Sequence, residues 1–276
     1  MNLLASLSIA LRGVSANKMR SSLTVLGIVI GIASVISLMS VGRGAEAEIT
    51  SQIESQGTNL IFIRPGAASA GMVRGAQGSA ATLTLEDAEA IANPANVPSA
   101  ALVAPELSTF AQVVAGSQNV STRIYGVTPE YEEMRNYGIA EGEFITEQNV
   151  QARSMVCVLG SNVAEDLFGG LDPIGLSVKV NRRQFRVTGV LESKGGTGFG
   201  SQDDLVLVPI TTAIYRLMPQ RTASGGHRVN TINVQVTDAD QIDAATEQIT
   251  TLLRERHRIT GENDFTITTQ EELLGS

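Results

Sequence analysis

Between Arg20 and Arg43 lie 22 residues without a charge, SSLTVLGIVIGIASVISLMSVG (residues 21–42). No other feature restricts what the chain can become as strongly. As a helix rising 1.5 Å per residue, this run reaches about 33 Å, enough for a hydrocarbon core of about 30 Å. Eleven of the 22 are Leu, Ile or Val, each favouring insertion by roughly 0.3–0.6 kcal/mol at mid-membrane. Their sum, roughly 3–7 kcal/mol, is opposed by the Gly, Ser and Thr of the same run. Three readings compete. A helix buried in a soluble core is seldom apolar on every side over such a length. A cleaved export signal needs a short basic leader and an apolar core of roughly 7–15 residues, whereas 22 residues precede a core of about 19 here. A retained transmembrane helix fits best.

Charge orients it. Arg12, Lys18 and Arg20 give residues 1–22 a charge of +3 with no acid. Residues 42–276 hold the other 17 basic side chains and all 28 acids, a charge of −11, so the two parts sum to the net −8. Basic residues before the span, with Glu46, Glu48 and Glu54 after it, place the N-terminus in the cytoplasm by the positive-inside rule. The large remainder then faces outward, and its acidity argues against nucleic acid, whose binding rests on phosphate neutralisation. The single Cys157 permits no internal disulfide. Within the span, Gly27, Gly31 and Ser34 share one helical face, the small-residue spacing that lets another helix approach closely in lipid. Glycine is common in membrane helices in any case, so this face hints at partner helices without requiring them. Ahead of the span, Leu3, Leu7, Leu11 and Val14 recur at helical spacing. That pattern fits an amphipathic helix on the inner membrane surface (residues 1–20), or a cytosolic extension of the span itself.

Two strand–helix–strand units stand far apart in the outer part. NLIFIRPG (residues 59–66) is a β-rich run closed by Pro-Gly, followed by a Gly/Ala/Ser-rich linker. A capping-box-like helix start follows at Thr84-Leu85-Glu86-Asp87, then a stop at Asn93-Pro94 and a strand within residues 100–115. The second unit opens with the alternating TINVQVT (residues 231–237). Asp238 or Asp240 can cap a helix whose Ile242, Ala245, Ile249, Leu252 and Leu253 form an apolar face, with Gly261 as its stop and DFTITT as the next strand. The pairing suggests an α+β domain with a split β-α-β, ferredoxin- or porter-like lobe (residues 43–117 and 225–276) and an inserted β-rich lobe (residues 118–224). In the insertion we expect a strand and a Ser161-capped short helix within MVCVLGSNVAEDLFG, a hairpin turning around residues 181–183, and a strand at DLVLVPI.

Catalytic chemistry is hard to find. There is no G-x-x-x-x-G-K-[ST]. GGTGFGSQDD (residues 195–204) is glycine-rich but leads into a strand, where a phosphate cradle needs a helix N-terminus. It reads as a loop between strands, and Gly198, Phe199, Gln202 and Asp203 are candidates for contact with a partner. His227 and His257 lack ligand-spaced companions. Cys157 sits in an apolar run as an inert thiol, and Ser161 lacks a nucleophile-elbow context. RERHR (residues 254–258) suits the end of a helix. We therefore expect no catalytic, cofactor-binding or metal-binding residues, and an outward domain that binds or transmits.

The order of motifs resembles one known family. Asn17-Lys18-Met19-Arg20-Ser21, the LGIVIG of residues 26–31, GTNL (57–60), YGVT (125–128), VLG (158–160), DPIG (172–175) and GFGSQDD (198–204) stand in the same succession as in MacB-like ABC transporter permeases. The likeness spans nearly the whole chain, and its specificity lies in the succession of motifs. It implies a bacterial inner-membrane protein, N-terminus in the cytoplasm, with a periplasmic core made of a porter-like lobe and an inserted β-rich lobe. It further implies a dimer, with itself or a related permease, served by an ABC ATP-binding subunit and often by a periplasmic adaptor protein and an outer-membrane channel. ATP hydrolysis in that subunit would move the periplasmic domains and expel an amphipathic cargo. Family permeases continue into three more spans, whereas this sequence stops at EELLGS, the expectation being a fragment or a natural short form. A single-pass periplasmic binding or adaptor module is the alternative.

Overall fold

The computed structural model describes residues 18–54, 59–67, 69–70, 73–74, 80–195, 201–222 and 225–274. It divides into two units, Met1–Ile53 and Glu54–Ser276. Among the described residues the first is one helix, α1 (Lys18–Glu54), of 37 residues or about 55 Å. Its segment Lys18–Gly44 has a mean hydropathy of 2.4 and buries none of its surface in the protein. Leu26, Ile30, Ile36 and Met39 are all more than half exposed, so the helix is apolar all round and finds its stable surroundings in lipid or other helices. Several of its hydroxyls are already used. Thr24 Oγ1 donates to the Arg20 carbonyl at 2.8 Å and Ser34 Oγ to that of Ile30 at 2.7 Å, which removes two unsatisfied donors from the apolar surface. The helix continues ten residues beyond Gly44, carrying Glu46, Glu48 and Glu54.

The second unit is α+β. It runs β1 (Leu60–Pro65), β2 (Ser69–Ala70), β3 (Val73–Arg74), α2 (Leu85–Ile91), β4 (Ala100–Ala115), β5 (Gln118–Val127), α3 (Glu130–Met134), β6 (Ile139–Gly142), α4 (Glu147–Gln151), β7 (Val156–Leu159) and α5 (Ser161–Phe168). Then come β8 (Ser177–Val180), β9 (Arg183–Leu191), β10 (Leu205–Pro209), α6 (Ile210–Thr212) extended by a π-helical turn (Ala213–Leu217), β11 (Thr231–Val236), α7 (Ile242–Arg256), β12 (Phe265–Thr269) and α8 (Gln270–Leu274). The strands join in the order β12-β1-β11-β4-β5-β10-β7-β9-β6, with β8 beside β4 and β9. Strands β12, β1, β11 and β4 pair antiparallel throughout, and α2 and α7 connect them as two β-α-β units, the split arrangement.

Strand β4 explains how the rest attaches. Its first part, residues 100–106, pairs with β11, and its continuation, residues 107–115, pairs with β5. One 16-residue strand is thus shared by both sets of strands. Beyond it, β5–β10 and β7–β9 pair in parallel while β10–β7 and β9–β6 are antiparallel.

β1 is apolar because both its faces are covered. Ile61 and Ile63 pack with Ala88 and Ile91 of α2 and Ile249 and Leu253 of α7. Leu60 and Phe62 face the opposite core, with Tyr131, Met134 and Tyr137. That second core was not visible in the sequence, since α3 is only five residues long.

Several local expectations needed correction. The α5 cap is Gly160, and Ser161 is the first helical residue; Gly169 closes the helix at φ 59°. Neither Asp238 nor Asp240 caps α7, because a 3₁₀ turn (Ala239–Gln241) intervenes and Gln241 takes the cap position. α7 also stops earlier than Gly261, at Arg256 with His257 as its cap. The β8–β9 hairpin turns through Asn181 and Arg182, both at positive φ (47° and 66°), as a two-residue loop matched to strand twist requires.

Candidate functional site

Side-chain alternation builds a cavity on the face of the sheet that carries the second core. Two residues beyond Phe62 in β1, Arg64 points the same way; in β4, Glu106 and Phe110 follow Ala104 at even spacing; in β5, Arg123 and Tyr125 precede Val127. α3 closes one side with Tyr131, and Arg135 just past its end adds a guanidinium. These residues, with Tyr137, Ser121, Ser201, Gln202, Asp204 and Leu205, line about 640 Å³.

The inner wall is a polar network built around Glu106 and Arg135. Glu106 is 8% exposed. It accepts a hydrogen bond from the Tyr131 hydroxyl at 3.2 Å and pairs with Arg135 Nη2 at 3.6 Å. Arg135 Nη2 also donates to Asn233 Oδ1 at 3.4 Å, and Asn233 Nδ2 donates to the Ala104 carbonyl at 3.1 Å. The Arg135 guanidinium lies 5.5 Å from both the Phe62 and Tyr131 ring centroids, and Tyr131 stacks on Tyr137 at 6.1 Å. Burial pushes the Tyr131 and Tyr137 phenols upward, so both stay neutral. Lys194 sits 4.2 Å above the Tyr137 ring and donates to the Arg135 carbonyl. Burial first, and the Arg135 charge second, bring its ammonium down to about 8.

The outer wall differs. Arg123 lies 4.7 Å over Phe110, its cross-strand partner, and donates to the Tyr125 hydroxyl at 3.0 Å. Arg64 lies 5.8 Å from the Phe62 ring. Neither guanidinium has a carboxylate within ion-pair distance among the described residues. Phe110 is 63% exposed.

A second polar cluster holds α2 against α7. Thr84 and Asp87 form the expected capping box. The Asp87 carboxylate, almost fully buried, also accepts from Arg256 Nε at 2.7 Å and meets His257 Nε2 at 3.0 Å, while His257 Nδ1 lies 2.9 Å from Asp264. The basic helix end therefore clamps a buried acid on the neighbouring helix. Burial alone would raise the Asp87 carboxyl, but hydrogen bonds from His257, Arg256 and Thr84 outweigh it and hold it at about 2. His257 is raised, chiefly by its bond to Asp87. Its two ring nitrogens each face a carboxylate, leaving none to ligate a metal, and no cluster of metal-binding side chains occurs among the described residues.

The remaining sequence candidates fall as follows. An added Cβ at Gly27 or Gly31 would meet no heavy atom within 4 Å, and Ser34 is exposed on the same helix. Lys18 and Arg20 are exposed in its first turn. Arg12, Gly198 and Phe199 lie outside the described residues. Gln202 lines the cavity. Asp203 is 2% exposed and turned inward. Its carboxylate accepts from Ser193 Oγ at 2.7 Å, Lys194 N at 2.8 Å and Gly195 N at 3.0 Å, so it ties the two ends of the glycine-rich segment together. Cys157 is fully buried, and burial raises its thiol. Sequence reasoning passed over Arg64, Glu106, Arg123, Tyr131 and Arg135; a charged residue at the end of the apolar run NLIFIR was the one local sign.

Comparison with known proteins agrees with the fold. Residues 21–252 fit the family model described as "MacB-like periplasmic core domain". The chain is 39% identical over 274 residues to the macrolide export ATP-binding/permease protein MacB of Chlorobium luteolum, covering 97% of this chain and 40% of that protein. It is 40% identical over 259 residues to the MacB of Azoarcus sp., covering 94% and 37%. The chain thus spans about 40% of the length of the curated relatives it matches. In fold, it superposes on the periplasmic region of MacB from Actinobacillus actinomycetemcomitans with a TM-score of 0.65, at 24% identity, covering 82% of this chain and 95% of that one. The extracellular domain of the ABC-type transporter YknZ from Gram-positive bacteria gives 0.60 at 18% identity, covering 76% and 100%. The succession of motifs, the apolar helix and the α+β domain have one family in common: this chain belongs to the MacB-like permeases, through their periplasmic core domain.

Proposed function

We propose that the chain serves as the permease subunit, or as part of one, in an ABC-type export or mechanotransmission machine of the bacterial inner membrane. α1 crosses the membrane with its N-terminus in the cytoplasm, and the α+β unit works in the periplasm as a porter-like lobe with an inserted β-rich lobe. ATP is hydrolysed by an ABC ATP-binding partner; this chain supplies no catalytic group. The subunits act in pairs, as a homodimer or with a related permease, packing along Gly27, Gly31 and Ser34. A periplasmic adaptor and an outer-membrane channel meet the periplasmic unit, with Gly198, Phe199 and Gln202 as contacts, while Asp203 is buried against Ser193, Lys194 and Gly195. An amphipathic cargo is expelled.

The observation that carries this reading is the continuity of α1, whose apolar segment runs without a break into ten further helical residues. A helix transmits displacement along its axis because every backbone hydrogen bond is internal, so a push at the cytosolic end reaches the outward side. The test is to tag the chain, extract it from membranes in mild detergent and identify what co-purifies. A P-loop ATPase whose turnover changes when the chain is reconstituted with it is the expected result. Neither co-purification nor any effect on turnover would leave a passive anchored module instead.

A further inference from the structure

We propose that the cavity between β1, β5 and α3 binds a small amphiphile through its anionic headgroup, with Arg64 and Arg123 holding the anion and Phe110 and Tyr125 accepting the apolar body. The inference concerns binding alone and stands whether or not the chain transports.

Charge is the first argument. Residues 42–276 carry 28 acids against 17 basic side chains, so an arginine in this domain has acids to pair with almost anywhere. Arg64 and Arg123 nonetheless reach one cavity from two separate strands and have no carboxylate at ion-pair distance among the described residues. Glu106, the acid deepest in the wall, is already engaged by Arg135 and by the Tyr131 hydroxyl. Asp204, at the other side of the lining, is the remaining acid there. The walls thus present a positive excess within a concave, low-dielectric surface, which concentrates anions. Guanidinium groups suit this role because their planar forks match carboxylate and phosphate oxygens.

The second argument is the aromatic wall. Phe110 is 63% exposed, an unusual state for a phenyl ring in the middle of a strand. Cross-strand stacking with Arg123 accounts for one face of the ring but not for the approach of Arg64 from β1. A volume of about 640 Å³ is within the ordinary range of small-ligand sites. Arginines beside the uncovered Phe110 ring and the half-buried Tyr125 describe a headgroup paired with a short apolar body, and their charge disfavours a cationic ligand.

The test uses the full chain in discs of neutral phosphatidylcholine, titrated calorimetrically with octyl phosphate, inorganic phosphate, octanol and octyltrimethylammonium. Partition into the disc is cancelled by comparing the wild type with Arg64→Gln/Arg123→Gln. Both positions are exposed, and unfolding curves confirm that the variant folds. We expect saturable octyl phosphate binding, weakened at least about tenfold in the double variant, as the loss of charge-assisted hydrogen bonds implies. Phe110→Ala should weaken it several-fold, and octanol and octyltrimethylammonium should show no saturable binding. Equal octyl phosphate binding by wild type and double variant overturns the proposal, as does equal binding of the cationic amphiphile. Inorganic phosphate binding as tightly as octyl phosphate overturns the amphiphile assignment and makes this a free-anion site.

Discussion

Asp87 shows how much one side chain can do when the fold brings partners to it. It caps α2, and across 170 residues of sequence it meets His257 at 3.0 Å. Two pH dependences of opposite sign follow. The carboxyl is held at about 2, below its ordinary 3.8, so its contribution is complete above 3.8 and is lost as pH falls through 2. His257 is raised above its ordinary 6.5, so its contribution is complete below 6.5 and disappears as pH rises through the folded value. The wild-type α+β unit should therefore lose thermal stability as pH rises above 6.5, and His257→Gln should flatten that slope. Asp87→Asn should cost roughly 1–3 kcal/mol at neutral pH, because Arg256 and the capped amides lose a charged acceptor. Denaturant unfolding measures both; an unchanged slope in His257→Gln would show that the imidazole does not titrate in folding.

At the scale of elements, the informative pieces are those with more than one job. β4 is long because it serves two neighbours in succession, β11 and then β5. The β8–β9 turn needs two residues at positive φ, and Asn181 accepts that conformation more readily than most. The span within α1 is apolar on every face, so its pattern says little about which side meets a partner; the small-residue face of Gly27, Gly31 and Ser34 breaks the symmetry. Gly27→Leu and Gly31→Leu should each reduce disulfide crosslinking between engineered cysteines on paired spans several-fold, because the bulk of Leu keeps helix backbones apart. Unfolding of the α+β unit should be unchanged. Undiminished crosslinking in both variants would place the packing face elsewhere.

For the whole molecule, the decisive property is the side of the membrane on which each part lies. Cys157 is fully buried and its thiol raised, which makes the native chain nearly silent to maleimides. Ser117→Cys, in the exposed β4–β5 turn, should label with a membrane-impermeant maleimide once the outer membrane is permeabilised. Ser8→Cys should label only after the inner membrane is opened. The reverse pattern would refute the N-in orientation that Arg12, Lys18 and Arg20 imply.

What the sequence determined alone was whatever acts over a few residues. The uncharged run sets the helix, flanking charges suggest its direction, and alternation and the Thr84–Asp87 box mark most of the strands and α2. The succession of short motifs was enough to place the chain in its family. The tertiary structure decided the rest. Arg64, Glu106, Arg123, Arg135 and Asn233 come from five separate stretches of chain, and no local period or spacing links them. Their meeting depends on β1 lying between β11 and β12 and on β4 extending past its first partner. Pairing of this kind is set by burial of whole faces, a quantity that exists only once distant strands share a sheet. The same holds for Asp87 and His257, whose roles appear only when α2 and α7 lie side by side.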